Sequence, residues 1–264
     1  MEWWIVYLVM GLFVGFFAGM LGIGGGLILV TLMVYLFTLQ GFPADRVLHL
    51  ALGTSISSIV FTSISSLRAH HRHGAVRWDI LRMAVPGLVI GTLLGTVVAD
   101  LLKSKYLAIF FVIFVYYSAV QMFSNVRPKP TRQLPGKAGM TAVSVAVGVV
   151  SSLVGVGGGV MTIPWMNFCN VPMRQAIGTS AALGLPIAIA GTVGFIITGL
   201  GKDHLPPLSL GYVYLPALVG IVIGTFVTVP WGAKMAHSMP VTRLTKIFAV
   251  ILFILATRML WSLF

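Results

Sequence analysis

Between residues 80 and 124 the chain reads as two apolar stretches, 80–101 and 105–124, separated by only a short turn. A helix rises about 1.5 Å per residue, so each stretch is long enough to cross the roughly 30 Å hydrocarbon core of a bilayer. Further apolar stretches run at about 4–21, 27–39 and 47–67, then at about 138–154, 160–170, 175–199, 211–230 and 243–262. In a chain of 264 residues this leaves no room for a soluble domain. Only 8% of the residues are charged, against about 25% in a typical soluble protein. The expected fold class is all-α: a polytopic membrane protein with the lipid bilayer as its first partner, placed as a multi-pass protein in the inner (plasma) membrane. The opening Met1-Glu2-Trp3-Trp4 lacks the basic region and small-residue cleavage site of a secretory signal, so the first segment is expected to be retained.

The formal net charge of +12 is read as basic loops held on the cytoplasmic face, not as a nucleic-acid surface. All five acids (Glu2, Asp45, Asp79, Asp100, Asp203) fall at segment ends or in loops. A proton relay or sodium site built on a buried carboxylate is therefore not expected. The single Cys169 excludes an internal disulfide and any CxxC motif. Arg68, His70, His71, Arg72 and His73 cluster without a neighbouring Cys, Asp or Glu, so a solvated basic loop is the better reading than a metal site. No HExxH or GxSxG motif is present, and neither an enzyme nor a cofactor is expected.

The chain reads as two repeats, 1–124 and 138–264, joined by a Pro-rich basic linker, 125–137. Leu21-Gly22-Ile23-Gly24-Gly25-Gly26-Leu27 returns as Val154-Gly155-Val156-Gly157-Gly158-Gly159-Val160. Gly53-Thr54-Ser55 returns as Gly178-Thr179-Ser180, each after a proline, Pro43 or Pro172. Pro86 with Gly91 and Gly95 returns as Pro216 with Gly220 and Gly224, spacings that mark close helix approach. Consecutive glycines each cost a helix roughly 1 kcal/mol relative to alanine, so each glycine run should break its helix. If each run is the tip of a hairpin, twelve of the 17 Lys and Arg share one face. Arg46, Lys103, Lys105, Lys202 and Arg258 then lie opposite. This division obeys the positive-inside rule better than eight continuous crossings do. It makes the repeats inverted, with both chain ends outside.

Broken backbone at membrane depth is tolerated only inside protein or along a water-filled cavity. Gly24, Gly25 and Gly26, and Gly157, Gly158 and Gly159, stand just before fresh helical stretches, where free N–H groups and the positive helix end suit a small anion. Their bland reading is close helix packing. Thr54, Ser55, Thr179 and Ser180 could donate hydroxyl hydrogen bonds to an oxyanion, or bond back to their own helices. Ser57, Ser58, Thr62, Ser63, Ser65 and Ser66 continue the first of these helices and could line a path or ease packing. Asn167 needs a polar partner in its apolar setting and is a further candidate contact, with an interhelical bond as its alternative.

The paired glycine runs, the following Gly-Thr-Ser triplets, and the His/Arg loop before Gly74-Ala75-Val76-Arg77-Trp78 together resemble the TauE/SafE sulfite exporter family. The resemblance covers essentially the whole chain. It implies a transporter for sulfite or a related organosulfonate, with motif residues at Gly24 to Gly26, Thr54, Ser55, Gly157 to Gly159, Thr179 and Ser180. A small anionic substrate, moved outward by alternating access, is the resulting expectation. Uptake of an organosulfonate and an anion channel of the same fold remain as alternatives, and a homodimer is left open. Export of one negative charge from a negative-inside cell gains about 2.3 kcal/mol per 100 mV, so no dedicated coupling carboxylate is required.

Overall fold

The computed structural model describes residues 3–21, 25–124, 132–236 and 241–261. They form ten helices and one short hairpin: α1 (Trp3–Leu21), α2 (Gly26–Leu39), α3 (Val47–Arg72), α4 (Trp78–Leu101), α5 (Ser104–Ser124), α6 (Lys137–Val154), α7 (Gly159–Phe168), α8 (Met173–Gly199), β1 (Ser209–Leu210), β2 (Val213–Tyr214), α9 (Leu215–Ala236) and α10 (Val241–Trp261). Among the described residues, α3, α4, α5, α6, α8 and Leu215–Gly232 of α9 are long and apolar enough to cross a membrane. Leu94, Ile113, Tyr117, Phe226 and Phe253 are all more than half exposed. Such a surface suits lipid, since a soluble monomer rarely carries a large apolar patch.

The short helices follow from the glycines. Gly155 and Gly158 adopt left-handed backbone (φ 67° and 78°), a conformation that L side chains resist, and α6 stops between Val154 and Gly155. The chain then turns back: the Arg132 N–H, ahead of α6, donates to the carbonyl of Phe168, the last residue of α7, at 3.3 Å. The α6–α7 pair thus starts and finishes at one end of the bundle with its glycine tip inside. In the other half, Tyr7 Oη of α1 meets Gln40 Oε1 after α2 at 2.8 Å, so this pair also leaves the end it entered by.

Helix directions are fixed by the contacts. In α1 and α9 the partners run in parallel, Gly11 beside Ile221 and Gly15 beside Thr225. In α4 and α6 they do the same, Gly87 beside Thr141 and Gly95 beside Val149. A Cβ on Gly87 or Gly95 would lie 2.7 Å from a backbone oxygen of α6, so only glycine permits the approach. By contrast α3 and α8 are antiparallel, with Gly53 at Phe195 and Gly184 at Ser63. So are α5 and α10, where Tyr116 Oη meets Thr257 Oγ1 at 2.8 Å and Lys246 Nζ sits over Phe123. Arg68, His70, Arg77, Lys137, Arg174 and Lys246 gather at one end, called the basic end below. The expected helical stretch 211–230 starts later than its hydropathy suggests. Gly211 (φ 56°) turns the chain, and Ser209 pairs with Tyr214 and Leu210 with Val213 before α9 begins.

Candidate functional site

The two glycine runs meet in the interior. A Cβ on Gly26 would lie 2.8 Å from the Gly155 carbonyl, and Ser55 Oγ donates to that same carbonyl at 3.0 Å. Gly25 is buried against Val14 and caps α2 without a side-chain bond. Gly24 lies outside the described residues. Gly158 is the N-cap of α7 and, having no side chain, supplies no cap bond to the first N–H groups of that helix.

The Gly-Thr-Ser triplets do something the sequence did not reveal. Thr54 Oγ1 accepts the backbone N–H of Tyr214, and Thr179 Oγ1 that of Arg77, both at 3.0 Å. Each threonine is fully buried. The segment Gly211-Tyr212-Val213-Tyr214 docks on Gly53-Thr54, and Gly74-Ala75-Val76-Arg77 docks in the same way on Gly178-Thr179. Both segments start with a left-handed glycine, Gly74 (φ 63°) or Gly211. The Ala75 N–H donates to His70 O at 3.0 Å, and the Tyr212 N–H to Phe195 O at 3.1 Å. Each half therefore clamps the loop that starts a long helix, α4 or α9. The only sequence signal for this is the short recurrence Gly-x-Val before those helices.

A cavity of about 330 Å³ opens toward the basic end. Gly157, Gly159, Ser180 and Gly184 lie in its deep part, Thr62, Ser63, Ser65 and Ser66 of α3 along one wall, and His70 toward its mouth, with Gly19, Val229 and Pro230 completing it. Ser180 Oγ and Thr162 Oγ1 share a hydrogen bond of 2.6 Å, and Thr162 also donates to Gly158 O. The start of α7, with its positive dipole end, thus stands beside a buried pair of hydroxyls. Of the expected contacts, Gly157, Gly159 and Ser180 line this cavity, while Thr54, Ser55, Thr179 and Gly26 lie in buried packing around it. Asn167 is half-buried at the far end of α7 and is not on the cavity wall. Ser57 and Ser58 bond back to Gly53 O and Ser55 O.

At the opposite end of the bundle, Tyr212 is fully buried inside a polar cluster absent from the sequence reading. Its Oη donates to Asp100 Oδ1 at 2.7 Å and accepts from Arg46 Nη1 at 2.9 Å. Lys202 Nζ donates to Asp100 Oδ2 at 2.8 Å. The His49 ring stacks on that of Tyr212 at 5.2 Å, with Nε2 2.9 Å from Ala99 O. Burial, and then the neighbouring carboxylate, push the Tyr212 phenol well above its ordinary value, so it stays a donor.

The chain matches, over residues 7–259, the family model described as Sulfite exporter TauE/SafE. It is 34% identical to a "Probable membrane transporter protein" of Haemophilus influenzae over 257 residues, 97% of each chain. It is 23% identical to "Probable membrane transporter protein YunE" of Bacillus subtilis, over 98% of this chain and 97% of the other. A Methanocaldococcus jannaschii relative, "Probable membrane transporter protein MJ0441", shares 24% identity over 96% of this chain and 94% of its own. No solved structure matches.

Proposed function

Because the chain belongs to the TauE/SafE family of membrane transporters, we propose that it exports a small sulfur-containing anion, sulfite or an organosulfonate, by alternating access through the cavity at the basic end. The observation that carries this reading is the cavity's chemistry. Its deep part offers the start of α7 and the paired hydroxyls of Ser180 and Thr162, Ser63 adds a hydroxyl from the α3 wall, and its described lining holds no carboxylate. Backbone N–H groups and hydroxyls match an oxyanion without requiring a cationic side chain. A cavity of this volume is also at the lower end of the range used for small-molecule ligands.

The basic end is the cytoplasmic end in this reading, since it gathers most of the Lys and Arg. The repeats are inverted. Supporting this, the counterparts α3 and α8 are antiparallel, as are α5 and α10. Exchanging the halves also turns the α1–α9 contact into the α6–α4 contact, both of which are parallel. A two-fold axis in the membrane plane relates helices in this way.

The test is sulfite efflux from proteoliposomes with the potential clamped. Saturable efflux that accelerates as the lumen becomes negative supports an electrogenic exporter. Ser63→Leu, which fills the cavity from a buried position, should reduce that flux at least tenfold in protein that remains folded. Organosulfonate flux without sulfite flux would move the substrate within the class. Absence of flux for either, at any potential, refutes the assignment.

A further inference from the structure

The two ends of the bundle differ at positions that the repeat makes equivalent. The clamped loops pair Ala75 with Tyr212, and their carbonyl partners pair His70 with Phe195. At the basic end these positions hold a methyl group and an imidazole, and the cavity is open beside His70. At the opposite end they hold two fully buried aromatic rings, 6.5 Å apart and edge to face. Tyr212 is further tied to Arg46, Asp100 and His49, and Asp100 to Lys202. These groups come from the start of α3, the end of α4, the segment after α8 and the β1–β2 turn.

Behind this plug lie the counterparts of the open cavity's walls. Ala18 and Gly19 line that cavity, and the glycine runs align them with Ser151 and Ser152. Ser151 is fully buried, and its hydroxyl has no hydrogen-bond partner. The same holds for Thr92 Oγ1 on the facing helix α4 and for His49 Nδ1 next to Tyr212. Buried polar atoms are rarely left unpaired unless water or a ligand reaches them in some state. Small residues fill the remaining space: Ile56 presses on Gly191 and Thr96 on Gly194.

We propose that the Tyr212–Asp100–Lys202–Arg46 cluster is the closed gate of the non-basic end, and that its opening forms a second vestibule lined by Ser151, Thr92 and His49. The vestibule takes in Ser151, the repeat counterpart of the cavity-lining Ala18, and hydrates the three unpaired polar atoms. The gate rests on the alternating-access reading, but it can be tested without any substrate. A failed sulfite assay therefore leaves it standing.

The probe is Ser151→Cys in a Cys169→Ser background, a substitution that sacrifices no hydrogen bond at position 151. A membrane-impermeant maleimide is applied from the non-basic face of folded protein in oriented vesicles. Tyr212→Phe removes both hydroxyl bonds but keeps the ring, and Lys202→Gln breaks the partly buried Lys202–Asp100 ion pair without touching the buried ring. Loss of a hydrogen bond to a charged group is large enough to shift a two-state equilibrium about tenfold. Labelling of Ser151→Cys should rise about tenfold in either variant. In parallel, labelling of Ser63→Cys from the basic face should fall, because opening one end closes the other. Unchanged Ser151→Cys labelling in both variants overturns the proposal. So does a joint rise at both positions, which would mean loosened packing and no gate.

Discussion

Replacing Gly178 with alanine tests the clamp between the two halves. A Cβ there would lie 2.6 Å from Ala75 O, 2.7 Å from Ala75 Cβ and 2.9 Å from Ala75 C. Ordinary contact begins near 3.5 Å, so loop and helix must part by about 0.9 Å. The Thr179 Oγ1 bond to the Arg77 N–H is 3.0 Å long, and such a shift takes it to about 3.9 Å, beyond hydrogen-bond range. An unpaired buried N–H costs about 1–3 kcal/mol, and overpacking adds about 1–3 kcal/mol. Alanine returns about 1 kcal/mol of helix propensity. The net loss is about 1–5 kcal/mol, centred near 3 kcal/mol, or roughly a 10 °C drop in Tm for a chain of this size. Thermal unfolding in detergent, followed by intrinsic fluorescence, measures it. The control is Gly136→Ser at the start of α6, where a Cβ meets nothing within 4 Å and serine is a favourable N-cap; its Tm should stay within about 2 °C. Thr179→Val alone should cost about 1–3 kcal/mol, but little more in the Gly178→Ala background, because both break the same bond. A Gly178→Ala Tm within about 2 °C of the parent, or full additivity of the two substitutions, would refute the clamp.

Three further outcomes follow. Cysteines at Gly136 and Gly201 should react with impermeant maleimide from opposite faces, since these residues lie at opposite ends of the bundle; labelling from one face would overturn the helix directions. Gly158→Ala forces a side chain into left-handed backbone and toward Ile187 at 2.9 Å. It should destabilise by about 2–4 kcal/mol, read as a lower Tm, and a neutral result would mean the α6–α7 turn is not as described. Arg77→Gln breaks an ion pair to Asp79 that is half-exposed on both sides, so its stability change should stay below about 1 kcal/mol. A larger change would mean that Arg77 acts through its side chain as well as through its N–H to Thr179.

Much of the architecture is legible in the sequence because the bilayer imposes it. Apolar stretches of spanning length have few places to go, and runs of glycine cannot continue a helix. The half-length α2 and α7 come from those rules, and the recurrence of the glycine runs and Gly-Thr-Ser is read directly along the chain. The sequence cannot say which atom a buried hydroxyl faces. Thr54 and Thr179 read as anion ligands because they recur, yet each is fully buried away from the cavity and accepts a backbone N–H contributed by the other half. Ser180, from the same triplet, reaches the cavity because it is the next residue round the helix. The Tyr212 cluster was invisible for a related reason. Arg46, Asp100, Lys202 and Tyr212 each look like an ordinary loop or helix-end residue. Only the packing of α3, α4 and α8 around the β1–β2 turn brings them together. Periodicity and backbone propensity are local and can be read along the chain, whereas a polar contact between residues more than a hundred positions apart exists only once the helices have packed.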